Sequence, residues 1–469
     1  MVIRHEVGAP GLKKVLILLL FLLLASLTWL SCGSSSSSGT HTSGINYRAF
    51  VTNSVSSGSG SAGVYIVNAQ TDVRPVISPI AAGNTPGMMV LTPNRAFTLV
   101  FSGNGTQFSD NQFTIIKNAT EAAVGGVILP GVTESFVVSP NSSTAYVAVP
   151  TAPVVGQPPG VVKVVTLNSG SFAGQVEVPS IRYLSIDNSG NRILGFSDNS
   201  DAVAVITPSN IGIGNAVALI GGFDRPVAAF FSSDDTKAYV LNCGAECGGQ
   251  QASVQQFDLT TNTLVGSSVG ACTTDQDGKI QCAGSAALVD GSTMYLAGTP
   301  YSAGSGGPSL TCPAGTQAEF CGLLTIFDLN TMSVVQPPNC AVGTQCPIYI
   351  TDGYHNRMSL GANGQLFLGG RTCTEVIPPV PPPQGAETRG CLSIYNTATG
   401  AVVIPPANGE VTGIQSIAKR TVVYVVQGGA LAIYDTATDA LENNPNDPNN
   451  PGRITNLIGQ FVDVKTIDF

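Results

Sequence analysis

From residue 45 onward, short apolar runs rich in Val, Ile, Tyr and Phe alternate with clusters of Gly, Asn, Asp, Ser and Pro. Runs of about four to eight residues bounded by turn formers are strands. Long segments rich in Ala, Glu, Lys and Leu are absent, so the pattern predicts an all-β fold.

The runs recur with a fixed internal order. One strand carries an aromatic or large apolar residue at its third position: Phe50, Phe97, Tyr146, Leu194, Tyr239, Tyr295, Phe367 and Tyr424. The intervals between these markers are 47, 49, 48, 45, 56, 72 and 57 residues. Most copies follow a tight turn, such as Pro93-Asn94, Ser189-Gly190 or Asn363-Gly364, which sets the strand antiparallel to the one before it. A further strand ends at Asn68, Asn118, Asn168, Thr207, Asp258, Asp328, Asn396 and Asp435 and commonly leads into a Thr-rich turn. Ile394–Gly400 and Ile433–Asp439 are near-identical copies of this junction. Each unit therefore supplies about four strands in roughly 45 to 50 residues, the size of a propeller blade.

The repeat resembles the bacterial YVTN-type β-propeller repeat. Arg48 to Asn53 falls close to the motif of that name, and Thr397 to Gly400 matches its second turn. The resemblance spans residues 45 to 469 and implies a ring of four-stranded antiparallel blades, without naming a function, because such repeats serve sensors, adhesins, binding modules and some enzymes. Eight copies imply eight blades; seven is the alternative if the copy around Leu194 or the last one is not a blade. Ring closure is expected from the ends: Phe461 to Ile467 reads as an inner strand that pairs with the N-terminal strands and removes the open edges.

Blade topology turns spacing into geography. Loops between strands two and three share a face with the blade-to-blade connections, and the extra length after Tyr239 falls in those two classes. Ten cysteines form close sequential couples: Cys243 and Cys247, Cys272 and Cys282, Cys312 and Cys321, Cys340 and Cys346, Cys373 and Cys391. The first, third and last couples fall between strands two and three, the other two between blades. Five local disulfides stapling one face over blades five to seven are expected. Loops elaborated in this way are usually functional. They carry Tyr301, Phe320, Tyr349, Tyr354, His355, Arg357, Arg371 and Arg389, candidate anchors for a partner.

The N-terminus adds a compartment. Arg4, Lys13 and Lys14 precede an apolar stretch from Val15 to Leu30, too short for a typical membrane span, followed by Ser31 and Cys32. Residues 1–31 read as a signal peptide and Cys32 as a lipidation site. Residues 32–44 then form a Ser/Gly-rich tether, and residues 45–469 the propeller. Assigning Cys32 to the anchor leaves an even number of cysteines for the crosslinks. The expected location is the bacterial cell envelope, facing the periplasm or the cell surface.

Charge and chemistry narrow the function. The net charge is −9 over the whole chain, and no run of Lys or Arg follows the leader, so a nucleic-acid partner is excluded. The single Trp29 lies in the leader, which argues against quinone-dependent dehydrogenase propellers and Asp-box sialidases. No Cys-x-x-Cys is present for zinc or c-type haem. His41 sits in the tether, and His355 has no nucleophile motif around it. Asp275 and Asp277 resemble half of a Ca²⁺ loop, and calcium is the one cofactor they suggest. The expectation is a monomeric, lipid-anchored, non-catalytic propeller that binds a protein, glycan or envelope component through its stapled face. The alternative is a hydrolase or lyase resembling lactonase-type propellers and acting in the central funnel.

Overall fold

The computed structural model describes residues 42–54, 61–103, 107–304, 306–314, 316–376, 389–406, 409–442, 457 and 459–468. The leader, Cys32 and most of the tether lie outside the described residues, as does the proline run at 378–383.

Eight antiparallel sheets of the described residues ring a central channel, an eight-bladed β-propeller, and a ninth, two-stranded sheet pairs Cys272–Thr274 with Ile280–Cys282. The inner strands of blades one to eight are Phe461–Thr466, Pro86–Leu91, Phe136–Val138, Ile181–Ile186, Pro226–Phe231, Ala286–Asp290, Tyr354–Leu360 and Val411–Ser416. The copy around Leu194 is a true second strand, Ile193–Ser197, in a complete four-stranded sheet. Blade one has three strands, with an isolated bridge from Val64 to Ile80 where a fourth would lie.

Burial follows position in the blade. Second strands such as Val422–Gln427 are buried along their whole length, because neighbouring blades pack on both faces. Outer strands such as Ala122–Ile128 face solvent. Eight apolar clusters fill the gaps between consecutive blades. A ninth, built from Ala283, Leu310, Cys321 and Leu323, belongs to the loops of blades five and six.

The recurring Asn and Asp residues explain the regularity of the turns. Asp258 Oδ1 accepts the Thr260 and Thr261 amides at 2.7 and 2.9 Å, and Asn396 Oδ1 accepts those of Ala398 and Thr399 at 3.0 Å. These carboxylate and amide oxygens satisfy backbone donors that the turn would otherwise strand. In the inner turns a hydroxyl does related work: Thr92, Ser139 and Ser232 each accept the amide five residues on at 3.0 Å.

The two ends of the chain share blade one. Val51 stands opposite Val464, and Ala49 opposite Thr466. The buried Arg48 guanidinium locks the seam: it donates to both Asp468 oxygens at 2.7 and 2.8 Å and to Glu121 of blade two at 3.0 Å. One charge thus ties the N-terminal strand to the C-terminus and to the next blade.

Candidate functional site

Inner strands carry a repeated irregularity. In six of the eight blades their pairing with the second strand contains one extra residue, near the end that meets the blade-to-blade connection. In blades four, five, seven and eight that residue is Arg182, Val227, Asn356 and Thr412. Such a bulge leaves a residue outside the ladder and re-aims its neighbours. Arg182, Val227 and Asn356 accordingly line the funnel mouth.

Blade seven shows the consequence most clearly. Tyr354 pairs with Arg371, and Arg357 pairs with Gly369, with the extra Asn356 between. In an unbroken strand Tyr354 and Arg357 would project from opposite sides; the bulge brings Tyr354, Arg357 and Arg371 onto one. Gly369 is required beneath them. A Cβ there would come within 2.4 Å of Val411 Cγ1 and 3.3 Å of Arg357 Cβ.

Two cavities meet at the mouth. The larger, of about 520 Å³, draws its walls from blades two to seven and includes Met88, Val132, Glu134, Ala286, Asn356, Arg357 and Arg371. Its neighbour, of about 430 Å³, is lined by Arg182, Asp198, Arg225 and Glu246. Tyr183 and Tyr354 line both, and their hydroxyls lie 2.7 Å apart, joining blade four to blade seven across the channel.

The acids and bases here are unequally committed. Arg182 grips Glu134 with Nε and Nη2, at 3.0 and 2.9 Å, and reaches Asp198 with Nη1 at 3.1 Å. Desolvation drives the Tyr183 hydroxyl far above its ordinary pKa, and the Tyr354 hydroxyl upward too, so both stay neutral. Burial also pushes Glu246 up to about 8, against hydrogen bonds from Ser285 and the Thr299 amide, so this acid holds its proton at neutral pH. Among the described residues Arg357 donates only to carbonyls, Thr412 O at 2.7 Å and Asn356 O at 3.0 Å. Burial lowers its pKa, an effect opposed by the Asp463 charge and reinforced by the neighbouring Arg371. Arg371 Nε and Asn356 Oδ1 are buried and find no hydrogen-bond partner among the described residues. The arrangement can therefore bind negative charge with its arginines and offer a proton from Glu246.

The expected disulfides are all formed, between sequential neighbours. One is placed differently from the sequence reading. Cys340–Cys346 does not lie between blades; it interrupts the outer strand of blade six, whose halves Ser333–Val335 and Ile348–Ile350 both pair with Gly322–Asp328. The loops of blades five and six interlock. Gln281 and Ser309 exchange hydrogen bonds, and Thr274 N donates to Gln345 at 2.8 Å.

The candidate anchors divide. Tyr301 and Phe320 line a cavity of about 730 Å³ between the Cys272–Cys282 hairpin and the blade-six insertion. Tyr349 packs on the ninth cluster. Tyr354, Arg357 and Arg371 are in the funnel. His355 and Arg389 lie in the interior, not on the loop surface, with exposures of 0 and 1 %. Arg389 points at the Cys312–Cys321 sulfurs and the Ile350 carbonyl. Asp275 caps its own turn, accepting from the Asp277 and Lys279 amides and from Gln281. Among the described residues the one His/Cys/Asp/Glu grouping close enough for a metal is Cys373, Glu375 and Cys391, whose cysteines are joined to each other. Arg182, Tyr183, Glu134, Glu246 and Asn356 were not among the sequence candidates. Glu246 sits inside the Cys243–Cys247 loop, and the others are residues of inner strands or of the segments leading into them, with no sequence motif around them.

No family model and no curated protein matches the chain. Among solved structures it is similar to dihydro-heme d1 dehydrogenase NirN, with 12 % identity and a TM-score of 0.57, covering 90 % of this chain and 75 % of that one. The periplasmic gluconolactonase of Pseudomonas aeruginosa gives 14 % identity and a TM-score of 0.45, covering 90 % and 98 %. The hydrazine synthase of Kuenenia stuttgartiensis gives 14 % and 0.48, covering 78 % and 99 %. The likeness to NirN is one of fold: a β-propeller.

Proposed function

We propose that this is an exported, lipid-anchored, non-catalytic propeller that binds a protein, glycan or envelope component through the stapled loops of blades five to seven. The observation that carries the reading is the concentration of all five disulfides on three adjacent blades, with the Cys312–Cys321 crosslink seated in a small apolar cluster separate from the cores between blades. A ring needs none of this for closure. Crosslinks of this kind limit the unfolded freedom of a loop and hold its surface in one shape. They also fit an oxidising compartment outside the cytoplasm.

Val376 and Arg389 pair through two backbone hydrogen bonds of 3.0 Å, which offers a clean place to trim. Replacing residues 377–388 by Asn-Gly is expected to leave the melting temperature unchanged and to weaken binding to the envelope ligand by about tenfold or more. Unchanged affinity would move the work to the opposite face, the rim or the funnel. For the anchor, mass spectrometry of the membrane fraction is expected to find a diacylated or triacylated N-terminal Cys32. An unmodified mature N-terminus elsewhere would remove the anchor and leave export standing.

Catalysis in the funnel is the second reading, supported by the ionisable groups that converge there. It stands second because Glu134 and Asp198 are both committed to Arg182, and the charges left over are arginines, which stay protonated. Glu246 is the acid through which such a reading would have to work.

A further inference from the structure

We propose that the larger funnel cavity is a binding site for a small organic oxyanion, a carboxylate or phosphate monoester on an apolar body, anchored by Arg357 and Arg371. The site is distinct from the loop surface proposed above and does not depend on it.

Charge is the first ground. Among the described residues neither Arg357 nor Arg371 forms an ion pair. Both project from one side of blade seven into the same cavity. The carboxylate in that wall, Glu134, is held by the Arg182 fork. Asp463 acts on Arg357 from blade one, but its oxygens already accept from the Met89 and Val464 amides and from Lys465. Two guanidinium groups are thus kept together in a partly desolvated place, at a cost that an incoming anion would offset.

The second ground is unspent hydrogen-bonding capacity in the same wall. Arg371 Nε, a donor, is buried without a partner among the described residues. A planar oxyanion meets a guanidinium through two parallel N–H groups, and the Nε–H of Arg371 is one such donor left open. The third ground is shape. The apolar part of the wall includes Met88, Phe101, Val132, Val227, Ala286 and Ala287, with Tyr183, Tyr354, Thr133 and Ser285 beside them. A volume of about 520 Å³ suits a small molecule, with an apolar body against these side chains and its charge at the arginines.

Calorimetric titration of the full chain with benzoate, phenyl phosphate and the neutral isostere benzamide tests this. At least one of the two anions is expected to bind with a dissociation constant below about 1 mM, about tenfold or more tighter than benzamide, and more weakly as salt is raised. Whichever anion binds tighter separates carboxylate from phosphate recognition. Arg357→Gln and Arg371→Gln are each expected to lose about tenfold or more for the anion and nothing for benzamide. Hydrogen exchange of the wild type with the anion present keeps the proposal testable if a variant fails to fold: protection should appear in Tyr354–Leu360 and Gln365–Arg371. Absence of saturable anion binding, equal affinity for benzamide, or protection confined to other blades would each overturn it. Running the loop-trimmed protein beside the intact one separates the two proposals, since its anion binding is expected to be unchanged whatever happens to envelope binding.

Discussion

Truncation after Leu457 is expected to abolish cooperative folding of the ring. The lost segment carries Phe461, Val464 and Ile467, which are 3, 0 and 3 % exposed. Burying a side chain of this kind contributes about 1.5 to 3 kcal/mol, so the three together supply an amount comparable to the 5 to 15 kcal/mol that keeps a domain folded. Two further losses add to this. The edge of Arg48–Asn53 loses its partner strand, and buried Arg48 keeps Glu121 but loses Asp468. Circular dichroism melting should show a broad, low transition, and limited proteolysis rapid loss of the chain. Adding a synthetic peptide of residues 458–469 should restore part of the transition. A truncated protein that melts within a few degrees of the intact one would show that the seam is not held there.

Acid is expected to weaken the protein through His355. The ring is fully buried, and desolvation pushes its pKa down to about 4, against the Asp352 charge and the nearby Gly353 and Thr351 carbonyls. Neither ring nitrogen reaches a hydrogen-bond partner among the described residues. In the unfolded chain the same ring titrates near 6.5, so the folded state binds fewer protons between those two values. The contribution of a neutral His355 is present in full above about pH 6.5 and is lost as the pH falls towards 4, about 3 kcal/mol over that window. The comparison to make is wild type against His355→Leu, by urea unfolding at pH 7 and pH 4.5, because carboxylates common to both cancel. The wild type should lose about 2 to 3 kcal/mol more than the variant. Parallel pH profiles would mean that water or a proton reaches the ring in the native state.

What could be read from the sequence was whatever local chemistry dictates. The Asn and Asp residues closing each third strand had to be turns because their side chains supply the acceptors, and Asp258 and Asn396 do so. Aromatic markers had to be buried strands, and even the weak copy at Leu194 is one. Cysteine couples close in sequence had little choice of partner. Where position depended on distant contacts, the reading slipped. Cys340–Cys346 looked like a linker because the strand before it is three residues long, and only the return of Ile348–Ile350 to the same third strand shows otherwise. His355 and Arg389 read as surface residues by type, yet one fills a core position and the other spends its charge on sulfur and a carbonyl. A central funnel was implied by the propeller, but its lining was hidden, since an extra residue in a strand leaves no mark in a composition or a period.

Those extra residues have an evolutionary consequence. Arg182, Val227, Asn356 and Thr412 sit at positions that the ladder skips. Val227 still packs against the core between blades five and six, but a mutation at Arg182, Asn356 or Thr412 touches none of the cores between blades, so these three carry less of the selection for folding that constrains Val464 or Phe257. The mouth can drift in charge and size from descendant to descendant while the ring beneath it stays put. Lineages of this protein should therefore diverge faster at the mouth than in the ring that carries it.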